Sequence, residues 1–213
     1  MNPLHWTSAA GLATLLASEA ATIAATAAAM AEIADHPVRV EPMGAGVLVA
    51  LGPGRYVNRA VGVGPHLDQS EIECIEGFYN ELELDPSVQL SATADPETLR
   101  LLGDAGFRPD FFRSLLARDL DLDLDLDVGV DRDRDPALAA PASPYRIVAV
   151  EGADVDRWLD VIAEGNAITS AAGRARSDEY ALAAHAAPGA VDFLAFDGND
   201  PVGCGSIQVA GTA

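Results

Sequence analysis

The stretch that decides the fold starts as YRIVAVEGADVDRWLDVIA at residues 145–163 and closes as VDFLAFDGNDPVGCGSIQV at residues 191–209. Its first part, Tyr145–Val150, is an apolar run with β-branched residues and predicts a strand. The polar residues and glycine of Glu151–Asp154 then predict a turn. Val155–Ala163 predicts a helix, because its large apolar residues recur at helical spacing on one face.

A hairpin follows after a long connection. Val191–Phe196 and Pro201–Val209 both predict strands, and the tetrapeptide Asp197–Asp200 between them carries a strong hairpin signal. The order from residue 145 onward is therefore strand, helix, connection and hairpin.

The N-terminal half also mixes helices and strands. Ser8–Ala34 predicts a soluble amphipathic helix, or two, that ends before Pro37, because no basic residue precedes it and Glu19 interrupts it. The other helices are predicted at Asp68–Glu83 and Asp95–Ala105, each with an aspartate cap. The predicted strands are Val38–Glu41, Gly46–Leu51, Tyr56–Val63, Val88–Ser91 and Phe107–Leu120.

This order resembles the GNAT acyltransferase fold in two pieces. Residues 8–120 resemble its second half, with Gly106-Phe107 after the last helix and Phe111-Phe112 in the closing strand. The stretch Arg55–Gly64 also resembles bacterial proteins with tandem GNAT-like domains, and residues 145–209 are similar to the opening of a second such domain. We therefore expect an α/β protein of the α+β, mixed-sheet kind.

The resemblance implies three parts: a degenerate GNAT-like domain at residues 1–120, a linker at 121–144 and a partial GNAT-like domain at 145–213. The linker is acidic and then rich in alanine and proline. We expect no metal there, because neither the central glycine nor the distal glutamate of a calcium loop falls in place in Asp119–Asp135. We also expect the chain to be truncated before the acetyl-CoA-binding loop of the second domain.

Charge excludes some partners. The chain has 33 acidic residues against 13 basic ones, all arginine, and a net charge of −20. Nucleic acids and anionic membranes require basic surfaces, so we expect neither partner. The arginine and alanine bias suggests a bacterial gene, and two cysteines without metal spacing suggest a reducing, cytoplasmic compartment. Cys204 lies in a strand pattern and is expected to be a small core residue.

The cofactor implied by the resemblance is acetyl-CoA, which the family binds through an Arg/Gln-x-x-Gly-x-Gly/Ala loop before a helix. The equivalent segment, Val61–Asp68, has glycines but lacks that spacing, Pro65 removes an amide, and Asp68 adds negative charge. Gly203–Gly205 lies inside a strand and precedes no helix. No cofactor-binding or catalytic residue is therefore assigned.

The remaining polar residues are scattered. The four histidines have no spacing typical of zinc or of a carboxylate partner: His5, His36, His66 and His185. The connection after the helix at 155–163 would help form the acceptor cleft in GNAT proteins, so its polar residues are candidates for a substrate site or for plain surface: Glu164, Arg174 and Arg176.

The resemblance implies acetyl transfer from acetyl-CoA to a small-molecule or peptide amine in full-length relatives. We expect that activity to be impaired or absent in this chain. The alternative is a non-catalytic GNAT-like binding module or a gene fragment without activity. We expect residues 145–213 either to dock on the N-terminal domain, to self-associate through the open sheet edge at residues 201–209, or to exchange rapidly.

Overall fold

The computed structural model describes residues 8–112 and 144–209, which form a mixed α/β protein of the α+β class. The helices are α1 (Ala9–Ala31), α2 (Gln69–Glu81), α3 (Pro96–Asp104), α4 (Val155–Gly165) and α5 (Ala171–Ala186). The strands are β1 (Arg39–Met43), β2 (Gly46–Ala50), β3 (Arg59–Val61), β4 (Arg146–Ala149), β5 (Ala190–Asp197) and β6 (Asp200–Gln208). A turn of 3-10 helix at Gly152–Asp154 leads into α4.

The sheet of the N-terminal half is an antiparallel meander in the order β1-β2-β3. Val40 pairs with Val49, and Val47 pairs with Val61. An isolated parallel bridge joins Ala60 to Val88, whereas the three strands of the sheet itself are antiparallel. The predicted strand at Val88–Ser91 is reduced to that bridge.

The helices α2 and α3 begin where local chemistry predicts. The Asp68 carboxylate accepts a hydrogen bond from the Glu71 amide, and the Glu71 carboxylate accepts one from the Asp68 amide. Asp95 caps α3, and Pro96 occupies the first turn, where its missing N–H is harmless. The apolar face of α2 then packs into the core of the N-terminal half through Ile72, Ile75, Phe78 and Tyr79.

The prediction of a strand at Phe107–Leu120 is wrong for the part that the structure describes. Residues 107–112 contain no strand, and the Phe112 side chain is 95% exposed. The Phe107 amide instead donates to the Leu102 carbonyl and closes the end of α3. An extended segment becomes a strand only where a neighbour completes its hydrogen bonds. Residues 113–120 and the predicted linker up to residue 143 lie outside the described residues.

The C-terminal half has an antiparallel sheet in the order β4-β5-β6. Its hairpin turns at Gly198, whose φ of 60° suits glycine, and Asp197 pairs with Asp200. Trp158 and Leu159 of α4 pack against Val150 and the β5 residues Leu194 and Phe196, as predicted. Cys204 in β6 is exposed, so the expectation of a core cysteine is wrong. It lies on the outer strand, where no further strand is described beside it.

The two halves dock through α1 and α5. Ala183 of α5 is fully buried within the cluster that α1 forms with β2 and β3, and Tyr180 packs against the same cluster. Small residues at this contact let the two helix backbones approach closely. This docking removes part of the apolar area of the C-terminal half from water, which stabilises that half.

α1 buries one face of an alanine-rich helix. Its buried residues include Ala20, Ile23, Ala27 and Met30, which pack against the sheet of the N-terminal half. Among the described residues, α1 is also the one helix long and apolar enough to cross a membrane by length and composition, a test that buried core helices pass as well.

Candidate functional site

A cleft of about 470 Å³ lies where the two halves meet. We call it the interface cleft. One wall is a loop of the N-terminal half, and the others come from α4, the α4–α5 connection, α5 and β6. Its lining residues are Gly54, Arg55, Tyr56, Val57, Trp158, Ile162, Asn166, Ile168, Gly173, Arg176, Ser177, Tyr180, Ala181, Ala184 and Ser206.

Helical periodicity explains why α5 contributes most of one wall. The lining residues of α5, from Gly173 to Ala184, recur every three or four positions and therefore share a face. The opposite loop is held by Asn58, whose side chain accepts from the Leu51 amide and donates to the Gly52 carbonyl, both at 2.7 Å. Gly52 and Gly54 have φ values of 95° and 70°, which this tight loop requires.

Aromatic side chains make much of the cleft apolar. The rings of Tyr56 and Tyr180 lie 6.4 Å apart across the boundary between the two halves. Trp158 is buried, and its Nε1–H has no hydrogen-bond partner in the described part of the chain. A buried donor without a partner costs about 1–3 kcal/mol. A volume of about 470 Å³ falls within the range of small-molecule sites, and the walls combine aromatic and polar groups.

Two arginines give the cleft its charge. The Arg55 side chain is only 6% exposed, and it donates to the Glu179 carboxylate and, at 2.9 Å, to the Arg176 carbonyl. Burial and then the nearby charge of Arg176 lower the pKa of Arg55. No carboxylate is among the residues that line the interface cleft.

A second cavity of about 450 Å³ shares Arg55 and Arg176 with the interface cleft. His36 Nε2 lies 3.3 Å from Glu179 Oε2, and ligand atoms of Asp35, His36 and Glu179 lie within 4.8 Å of one another. These groups could hold a metal ion. However, both arginines border the same space, and their positive charges disfavour a divalent cation there.

A buried carboxylate also lies near the interface cleft. Asp192 on β5 is 2% exposed and accepts hydrogen bonds from His185 Nδ1, at 2.7 Å, and from the Ser206 hydroxyl. The ring of His185 lies 5.5 Å from that of Trp158. This is not a nucleophilic triad, because Ser206 donates to the aspartate and not to the histidine.

Each of the three histidines in the described part of the chain has a carboxylate partner that was not predicted. The structure pairs His36 with Glu179, His66 with Asp95 and His185 with Asp192. The first two pairs are separated by 143 and 29 residues, so no local spacing could have indicated them.

Of the three predicted acceptor-cleft candidates, only Arg176 lines the interface cleft. Arg174 lies on the same helix but pairs with Asp160 and Asp178. Glu164, at the end of α4, is exposed and is not among the lining residues. Arg55 and Tyr56 were not predicted, although they lie in the stretch that carries the family resemblance.

One expectation about the cofactor loop needs correction. Counted from Arg59, the chain does contain the spacing Arg-x-x-Gly-x-Gly, ending at Gly64 between β3 and α2. The surroundings do not fit a pyrophosphate. The Arg59 side chain is buried, donates to the Tyr56 carbonyl and pairs with Glu19. A Cβ added at Gly62 would lie 2.9 Å from the Cβ of Ala20, so α1 fills the space beside this glycine.

The start of α2 is equally unsuitable for an anion. The Asp68 carboxylate already accepts from the Glu71 amide and places negative charge at this helix terminus. Hydrogen bonds from Ser70 and the Glu71 amide lower the pKa of Asp68, so the carboxylate stays ionised. Gly203–Gly205 lies within β6, as predicted, and forms no loop. Neither of these two segments fits the pyrophosphate of acetyl-CoA.

Comparisons with family models, curated proteins and solved structures found no match to this chain.

Proposed function

We propose that this chain is a GNAT-like protein with impaired acetyltransferase activity, and that it works as a binding module whose site is the interface cleft. The order strand, helix, connection and hairpin supports the resemblance, with β4, α4, β5 and β6 as its elements and α5 in the connection. The observation that carries the binding role is the cleft itself, a cavity of about 470 Å³ with aromatic and polar walls.

The impairment follows from the segment Arg59–Asp68. A GNAT loop needs exposed backbone amides facing a pyrophosphate, with glycines that allow close approach. Here α1 packs beside Gly62, the Arg59 side chain is buried, and Asp68 caps the helix. Acetyl transfer would therefore lack its cofactor site in the described residues, whereas the interface cleft does not depend on that segment.

Calorimetric titration of the full chain with acetyl-CoA tests the proposal. We expect no binding at micromolar protein concentration and no acetylation of a mixture of primary amines. A dissociation constant near 1 μM, about −8 kcal/mol, would contradict the impairment.

If binding were seen, an Asp68→Asn variant would locate it. Removing the negative charge at the start of α2 should strengthen phosphate binding at that segment and leave binding elsewhere unchanged. Glu73→Gln, a charge removal of the same size on the exposed side of α2, is the matched control.

A further inference from the structure

We infer that the interface cleft selects small anionic molecules, carboxylates or phosphates with an apolar or aromatic body, and that Arg176 is the group that binds the anion. The inference rests on the proposed function in using the same cleft, and it goes beyond it by naming the ligand class. It also departs from the amine that the family resemblance implies.

The interface cleft is lined by basic and not by acidic side chains. The chain carries 33 acidic and 13 basic residues, so an average surface patch is strongly negative. The interface cleft has the opposite bias, because Arg55 and Arg176 line it and no aspartate or glutamate does. A concave site with low-dielectric walls concentrates the field of its own charges. Because the Arg55 charge is balanced by Glu179, an amine would meet the Arg176 guanidinium without a lining carboxylate to receive it.

The two arginines differ in how much of their hydrogen-bonding capacity is already used inside the protein. Arg55 is buried and already donates to Glu179 and to the Arg176 carbonyl, so its hydrogen-bonding capacity is largely used inside the protein. The Arg176 guanidinium lies beside Gly54, 3.9 Å from the position that a Cβ there would take. No ion pair joins Arg176 to a carboxylate in residues 8–112 or 144–209, whereas Arg174 on the same helix has two.

The remaining walls of the interface cleft provide a hydroxyl group and apolar surface. Ser177 follows Arg176 on α5 and offers a hydroxyl to the same cleft. The apolar surface comes from Tyr56, Trp158 and Tyr180, together with two isoleucines, Ile162 and Ile168. A guanidinium forms two parallel hydrogen bonds with a carboxylate or phosphate, which an ammonium or amide ligand cannot accept. The arrangement therefore fits an acid with an aromatic or aliphatic body.

Three probes with one skeleton test the inference: 3-phenylpropionate, its amide and 3-phenylpropylamine. They differ in charge but hardly in shape. Binding is followed by the fluorescence of Trp158 in a Trp6→Phe background, which leaves Trp158 as the single tryptophan. We expect the acid to bind at least tenfold more tightly than the amide, about 1.4 kcal/mol, and the amine to bind most weakly.

Variants assign the effect to Arg176. Arg176→Gln should weaken acid binding about tenfold and leave amide binding unchanged, whereas Arg176→Lys should retain part of the preference. Arg157→Gln removes the same charge from an exposed position outside the cleft and should change neither. Arg176 is exposed, so these variants should fold.

Three outcomes would overturn the inference: tighter binding of the amine, an acid affinity that does not respond to Arg176→Gln, or no binding of any probe. None of these outcomes depends on acetyl-CoA. The titration with acetyl-CoA tests separately whether acetyltransferase activity is impaired. Tighter binding of the amine would leave the cleft as a binding site and show that its ligand class is the one the family resemblance implies.

Discussion

Gly62 should be far less tolerant of alanine than Gly64, although both glycines belong to the same Arg-x-x-Gly-x-Gly spacing. Their φ values, 73° and 88°, are both in the left-handed region, where a Cβ costs about 1–2 kcal/mol. Their surroundings differ. A Cβ at Gly62 would lie 2.9 Å from the Ala20 Cβ and 3.2 Å from the Leu16 carbonyl oxygen, whereas a Cβ at Gly64 would meet nothing within 4 Å.

The difference in unfolding free energy between the two variants therefore measures the effect of packing alone. Gly64→Ala should lower the free energy of unfolding by the backbone cost alone, about 1–2 kcal/mol. Gly62→Ala should add the overpacking of α1 against β3, a further 1–3 kcal/mol or so. Urea unfolding of both variants with unchanged m-values would measure this directly. In a chain of this size the additional cost corresponds to a Tm about 2–4 °C lower per kcal/mol.

A double-mutant cycle sharpens the test. Ala20→Gly alone should cost about 1 kcal/mol, because glycine is a poor helix former. In the Gly62→Ala background it should also remove the close contact, so the two changes should couple favourably. Equal destabilisation by Gly62→Ala and Gly64→Ala, or the absence of coupling with Ala20, would refute the conclusion that α1 fills the space a phosphate would need.

Two further predictions concern docking and pH. Ala183→Leu should destabilise the protein by about 1–3 kcal/mol, because Ala183 is fully buried between α5 and α1. Ala172→Leu, at an exposed position of the same helix, should have almost no effect. Similar urea midpoints for the two variants would contradict the docking of the halves. The pKa of Asp95 is lowered to about 2, mainly by the Thr98 amide and then by His66, below the value of 3.8 expected when unfolded. This lowered pKa contributes stability above about pH 4 that is lost as the pH falls toward 2. Asp95→Asn should therefore flatten the decline in unfolding free energy over that range. An unchanged pH profile would show that the cap is not formed.

Local patterns in the sequence predicted most of the elements. The caps at Asp68 and Asp95, the apolar face of α4 and the turn at Gly198 each depend on residues within a few positions of one another. Such short-range hydrogen bonds and side-chain periodicities operate before any tertiary contact forms, which is why these elements could be predicted. The residues after α4 were expected to form a connection, whereas the structure places the helix α5 there. The same reasoning failed at residues 107–112, since a strand also requires a neighbour that the local sequence does not specify.

The site depended on contacts that only the folded chain creates. Arg55 meets Glu179 across 124 residues, and the interface cleft exists because α5 packs on α1. The sequence contained the spacing from Arg59 to Gly64, but whether that segment faces solvent or another element is decided by the position of α1. Charge, composition and capping were thus determined by the sequence itself. Which arginine is buried, which carboxylate each histidine meets and where a cavity remains were decided by packing between distant segments, because burial and electrostatic pairing depend on distances in space and not along the chain.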